Sequence, residues 1–498
     1  MRDRLQQLGL FWVALPICAV IGILGIALPD AFAETANSVI GWISRVGDWY
    51  FVVSMSAFVV FCAVLAISRY GNIRLGQPDE QPEFGFLAWF AMLFAAGMGS
   101  ATLLYGVAEP TIHFSTPPEG PGHTAEAARE ALVITLYHWG LHGWAVYAVG
   151  GLVLAYFRYR RGASFMPSAA LRMAFKGAWI RPVAHAADLI AVLAVAFGVA
   201  AAIALGVLQF EAGLQSAGLT TSDSSTWVRG LTLVVLCVCY TASASTGLEK
   251  GIKWLSQTNV ILAILLLVFV LVVGPTGALL ERFGIGALDY TLAVPELLAS
   301  IRPFTANEDW LQGWSVTYFI WWIAWTPFVG IFIARISRGR TIREFMIGVV
   351  GAPVLFCILW FAVFGGAAIH EEMHGDGGIA RLVNENNTVA LFALLGRYPM
   401  PEILTGVALG LVFVFLVTSV DSATYVLGML TARGSHDPPT KRKLSWGFSL
   451  AVLGGAMMAA GRMDVIRSSA VLGAIPFALI IQLQAVALVR DLRSSRKE

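Results

Sequence analysis

About twelve runs of roughly twenty apolar residues divide this chain, and no other feature narrows its possible folds as far, because each is long enough to cross a bilayer as one helix. They centre near residues 20, 58, 95, 143, 198, 238, 268, 322, 356, 416, 452 and 478. With 57% hydrophobic and 13% charged residues and a mean hydropathy of +0.73, little sequence remains for a soluble domain. The fold class is therefore an all-α polytopic membrane protein of about twelve transmembrane helices. The N-terminal stretch MRDRLQQLG is followed by no cleavage-site pattern, so the first run reads as a retained helix.

Orientation follows from the basic residues. If both termini are cytoplasmic, that side collects 24 of the 33 lysines and arginines, among them Arg158, Arg160, Arg161, Arg335, Arg338, Arg340 and Lys441 to Lys443. The positive-inside rule thus places both the N- and C-terminus inside. The five cysteines all fall in apolar runs, with no disulfide framework or metal spacing among them. A net charge of +2 in such a chain gives no reason to invoke nucleic acid as a partner.

Many secondary carriers are built from inverted repeats, marked in sequence by small-residue or Gly/Pro interruptions at matching places in two halves. Two stand out here: AAGMGSA (Ala95 to Ala101) in the third run, and Trp325-Thr326-Pro327 followed by Gly330 in the eighth. Each alone is explained by close helix packing or a kink. Their separation by five runs points to two five-helix repeats, residues 84–282 and 308–489. A two-helix prefix (1–83), an outside connecting segment (283–307) and a short cytoplasmic tail (490–498) complete the organisation. Ser115 to Glu130 reads as an outside loop, and the basic stretch Ile336 to Glu344 as an inside loop that sets topology.

Aromatic residues are placed unusually. In the eighth run Trp314, Tyr318, Trp321 and Trp325 recur at helical spacing, with Trp322 beside them. In the fourth, Trp139, Trp144 and Tyr147 fall within about 140° of arc on a continuous helix. Such stripes serve packing as a rule, yet an indole N–H in lipid needs a partner. Two clusters together form a plausible cage for a quaternary ammonium group, each ring contributing about 0.5 to 2 kcal/mol of cation–π attraction. A trimethylammonium group donates no N–H, so no carboxylate is required, and the centres of the third, fourth and eighth runs hold no Asp or Glu.

The stretches GMGSATLLYGVAEP, YHWGLHGWAVY, WWIAWTPFVGIFIARISRGRTIREF and FLVTSVDSA resemble the betaine/choline/carnitine transporter family from the second run to the last. The resemblance implies a LeuT-like fold of inverted repeats, a homotrimer in the bacterial inner membrane, and alternating access around a midplane site. It makes Trp139, Trp144, Tyr147 and Trp322 the box for a trimethylammonium group, with Trp321 and Trp325 lining the same pathway. Gly97, Met98, Gly99 and Ala101 would face it, their unwound backbone suiting a substrate carboxylate. Sodium is the implied coupling ion and no other cofactor is expected. Its ligands are backbone oxygens of Ala95, Met98 and Phe415 and the hydroxyls of Thr418 and Ser419.

Three departures qualify the likeness. Where relatives with a second sodium site place two threonines, the fifth run has Val195 and Val199. One sodium ion moving down a tenfold gradient and 100 mV supplies about 3.7 kcal/mol, roughly 500-fold accumulation, whereas two would supply about 10⁵-fold. The cation surrogates of sodium-independent exchangers are replaced here by Asn259-Val260 and Val329. The glycine pattern ends in Ala101, and proton-coupled choline carriers of the family place an aspartate in this stretch, so a proton-driven choline transporter is the alternative. A metalloenzyme built on HEEMH (His370 to His374) is a remote one, since that helix should end at the following GDGG. His138 and His142 read as hydrogen-bonded packing residues. Asp421 is the intramembrane acid that reads as functional by default in lipid, the bland alternative being a pair with a basic group on the cytoplasmic side. The ending LVRDLRSSRKE leads us to expect no osmosensing tail.

Overall fold

The structure is a computed structural model describing residues 2–97, 99–221, 224–246, 249–304, 308–435, 437–459 and 475–494. Among these the chain is helical throughout, with one isolated antiparallel bridge, Arg74 to Thr341. The helices are α1 (Arg2–Ala27), α2 (Pro29–Ile67), α3 (Phe86–Gly97), α4 (Ser100–Ser115), α5 (Ala125–Trp139), α6 (Leu141–Ala155), α7 (Ser168–Ala174), α8 (Ile180–Ser216), α9 (Ser225–Thr246) and α10 (Glu249–Val273). They continue as α11 (Thr276–Ala299), α12 (Glu308–Leu311), α13 (Thr317–Ile336), α14 (Ile342–Met346), α15 (Ala352–His374), α16 (Ile379–Glu385), α17 (Ala390–Leu395), α18 (Pro401–Thr431), α19 (Thr440–Ala459) and α20 (Ile475–Ser494).

Among the described residues, nine stretches are long and apolar enough to cross a membrane, and they coincide with nine of the twelve expected spans. The other three positions are filled by the pair α3 and α4, each too short alone, and by α19 and α20. The chain is thus a polytopic all-α membrane protein. Within the expected connecting segment 283–307, α11 runs on as far as Ala299.

The small-residue break in the third span is real: α3 stops at Gly97, and Gly99 is extended (φ −148°, ψ 177°) before α4 begins. Met98 lies outside the described residues. The second expected break is not where the sequence placed it. α13 is α-helical straight through Pro327, and the Thr326 hydroxyl donates to the Trp322 carbonyl at 2.9 Å. A proline in a membrane helix removes one donor without unwinding it when neighbours pack tightly. The irregular turn of this span is instead a π-helical one, Gln312–Val316.

An unexpected break divides the fourth span at Gly140 (φ −93°, ψ −130°), between α5 and α6. A Cβ there would fall 2.4 Å from the Leu136 carbonyl and 2.6 Å from the Tyr290 hydroxyl. Tyr290 comes from α11 and accepts the Leu141 N–H at 2.9 Å, so a backbone donor freed by the break is satisfied inside the protein. Arg129 of α5 holds the adjacent Asp289 through two hydrogen bonds, 2.9 and 2.7 Å.

α6 and α13 form the centre of the fold. Glycine at 143, 150 and 151 of α6 lets α13 approach to backbone contact: a Cβ on Gly330 would lie 3.2 Å from the Gly151 nitrogen and 3.3 Å from the Gly150 carbonyl carbon. Beyond α13, the basic loop does more than set topology. Gly339 and Arg340 exchange backbone hydrogen bonds with Leu75, and Trp89 donates to Ser337 Oγ at 3.0 Å, docking the α2–α3 connection onto this strip.

Because only backbone faces Gly330, neither side can yield to an added side chain. Gly330→Val should therefore cost about 1 to 3 kcal/mol and lower the melting temperature of the detergent-solubilised protein by several degrees. Gly410→Ala, where a Cβ meets nothing within 4 Å, is the control and should leave it unchanged or raise it.

Candidate functional site

Four of the expected site residues converge. Trp322 projects from α13 onto α6 and is the hub: its ring centroid lies 5.9 Å from Trp139, 5.8 Å from Trp144 and 4.8 Å from Tyr147. Trp144 and Tyr147 meet edge to face at 5.8 Å. All four are buried, between 2% and 8% exposed. The convergence does not arise from one helical arc, as the spacing implied. Trp139 ends α5, whereas Trp144 and Tyr147 belong to α6 beyond the break at Gly140. Trp322 can lie flat on α6 because residue 143 is glycine, where a Cβ would fall 2.3 Å from its ring.

The other two tryptophans stand apart from this box. Trp321 contacts Tyr105 and Tyr318, each at 6.0 Å. Trp325 sits against Phe328 at 5.7 Å and against Gly198 of α8. Around the box, Tyr105 and Phe361 contribute rings 6.0 and 5.6 Å from Trp139, and neither was anticipated.

The helix start at Ser100 follows directly on the break. Gly99 caps it with no side-chain hydrogen bond, and the first-turn amides, including that of Ala101, form the positive end of the α4 dipole. Ala95 and Gly97 lie in the last turn of α3, and the Met98 assignment falls outside the described residues. On α18, Thr418 Oγ1 donates to the Val414 and Phe415 carbonyls at 2.9 and 3.2 Å, which gathers two of the expected sodium-ligand oxygens; Ser419 is the next residue. Val195 and Val199 are buried on α8 and offer no side-chain oxygen.

A carboxylate from beyond the centres of these spans nevertheless reaches the rings. Glu109 on α4 is fully buried, and its Oε2 accepts the Trp139 indole N–H at 2.7 Å. The signal available in sequence was an acid followed by a histidine at i+4 (His113) within an apolar run, which is functional by default in a membrane. His138 does hydrogen-bond, to Glu109 and Ser315, and His142 packs on Phe319 and lies 3.4 Å from Ser56 Oγ. Asp421 has Ser243 and Lys443 as its electrostatic neighbours.

Comparison with known sequences decides the class. The profile of the BCCT, betaine/carnitine/choline family transporters matches residues 9–497. The chain belongs to this family. It is 40% identical to the glycine betaine transporter OpuD of Bacillus subtilis over 98% of this chain and 95% of that protein. Identity is 37% with the ectoine/hydroxyectoine transporter of Virgibacillus pantothenticus (98% and 97%) and 34% with the high-affinity choline transport protein of Escherichia coli (99% and 73%). The BCCT chain is thus a multi-pass membrane transporter, not an enzyme. HEEMH is correspondingly no protease motif: α15 ends at His374, and the two imidazoles simply stack 4.6 Å apart.

Gly143→Ala tests the hub directly. The added methyl must push Trp322 away from the other three rings, so affinity for glycine betaine, the solute carried by the Bacillus relative, should fall about tenfold or more, equivalent to about 1.4 kcal/mol. Fluorescence titration of the purified protein reads this out.

Proposed function

We propose that this transporter is a secondary active carrier that imports a quaternary-ammonium compatible solute, glycine betaine or a close analogue, by symport with sodium. The observation that carries the reading is the convergence of Trp139, Trp144, Tyr147 and Trp322 on one buried point. Aromatic faces attract a cation without competing for an N–H it does not have, and in a desolvated site each adds about 0.5 to 2 kcal/mol. The positive start of α4 suits the carboxylate of a zwitterion, so both ends of glycine betaine find complementary groups. Relatives named for glycine betaine and for choline carry trimethylammonium solutes, in keeping with such a box. Trp321 and Trp325 extend the same aromatic surface along α13.

Coupling to sodium is supported by the oxygens that Phe415 and Thr418 bring together on α18, with Ser419 the next residue; the family resemblance adds backbone oxygens of Ala95 and Met98 to this set. Hard cations select such all-oxygen sites. With valines at 195 and 199, a single sodium ion is the proposed stoichiometry. Transport then proceeds by alternating access between inverted five-helix repeats, in a homotrimer of the bacterial inner membrane with both termini inside. A proton-driven choline carrier is the competing reading.

Proteoliposome uptake of labelled glycine betaine, choline and carnitine, with sodium and pH gradients imposed separately, distinguishes them. Glycine betaine uptake should require the sodium gradient and fall at least tenfold in Thr418→Val; choline uptake driven by the pH gradient alone would reverse the assignment. Trp322→Leu should abolish binding without loss of folded protein, and unchanged affinity would refute the cage.

A further inference from the structure

The wholly buried cluster of Glu109, His113 and His138 stands beside the box without being part of it. Glu109 Oε1 is 2.5 Å from His138 Nδ1, and Oε2 accepts the Trp139 indole N–H. His138 Nε2 is 2.8 Å from Ser315 Oγ, and its ring stacks on Tyr318 at 4.9 Å and 3°. His113 packs edge-on against Trp314 at 4.6 Å, its Nε2 3.5 Å from Glu109 Oε1. A carboxylate in a membrane span is expensive, and removing one partner of a buried pair strands the other.

What the carboxylate holds is informative. Trp139 touches Tyr105, Tyr318, Trp322 and Phe361 through its ring. Those faces give attraction with little direction. A hydrogen bond is directional, so the bond to Glu109 decides which way the indole plane is turned. Trp139 is moreover the last residue of α5 before the break at Gly140, so helical backbone holds it on one side only.

We propose that Glu109 is a positioning residue of the substrate site: through the indole N–H it aims the Trp139 ring as a wall of the aromatic box, while His138, itself bonded to Ser315, holds the carboxylate in place. This rests on the reading of the four rings as the solute cage. Glu109 lies nine residues into α4, about 13 Å along the axis from its start. One rigid helix therefore fixes both the amides that suit the carboxylate of the solute and the ring that faces its cation.

The test uses the full-length protein, glycine betaine as probe, and binding together with proteoliposome uptake. Trp322→Leu comes first: if it leaves affinity unchanged, the cage reading itself has failed. With the cage established, Glu109→Ala should weaken binding about tenfold or more, the cost of stranding a buried donor. KM should rise while the maximal rate stays within about threefold. Glu109→Gln should recover most of the loss, since its oxygen can accept from Trp139 and its amide can donate to His138 Nδ1 in the swapped tautomer. Trp139→Phe keeps the ring but not the N–H. On that background Glu109→Ala should add little, because the two changes remove one interaction. Glu109→Met, closer in volume, replaces the alanine variant if the latter does not fold. Wild-type affinity in Glu109→Ala or Glu109→Met, no recovery in Glu109→Gln, or an undiminished loss on the Trp139→Phe background would each overturn the assignment.

Discussion

The contact on which the rest depends is the backbone approach of α13 to α6. Where Gly330 faces Gly150 and Gly151, backbone meets backbone, and the Thr326 side chain lies against Gly150. In lipid, where apolar surface gains nothing by leaving the solvent, such close packing supplies association energy. The same approach, two turns away at Gly143, is what allows an indole as large as Trp322 to sit between the helices. A seam of missing side chains at one level is thus the condition for a cluster of very large ones at the next.

Two spans are broken, and the breaks are treated differently. At Gly140 the freed Leu141 N–H is consumed by Tyr290, so that interruption is closed chemically and serves geometry: it redirects the chain between Trp139 and Trp144. At Gly99 no side chain caps the start of α4. One interruption sets the ring of Trp139 against that of Trp322; the other begins a helix without a side-chain cap.

The polytopic helical class, the interruption within Ala95 to Ala101 and the meeting of Trp139, Trp144, Tyr147 and Trp322 were legible in the sequence, because lipid imposes length and hydropathy directly and because tryptophan within a span is conspicuous. The break at Gly140 was not, since a lone glycine in an apolar run carries no sign of a tyrosine 150 residues later that will cap it. Pro327 misled for the converse reason: proline announces a missing donor, but whether the helix opens depends on neighbours that only the fold supplies. Glu109 was hidden by distance, lying a dozen residues past the centre of its run, and α4 carries it to Trp139.

Asp289 and Tyr290 are neighbours on α11, about 100° apart around its axis, and each engages a different half of the fourth span. One is clamped by Arg129, whose side chain is largely exposed; the other reaches the peptide immediately beyond Gly140. A rotation of α11 by a single residue, about 100°, would withdraw that hydroxyl and leave the Leu141 amide bare in an apolar interior. The helix therefore works as a key whose handle lies at the surface and whose bit engages the chain one residue from the box.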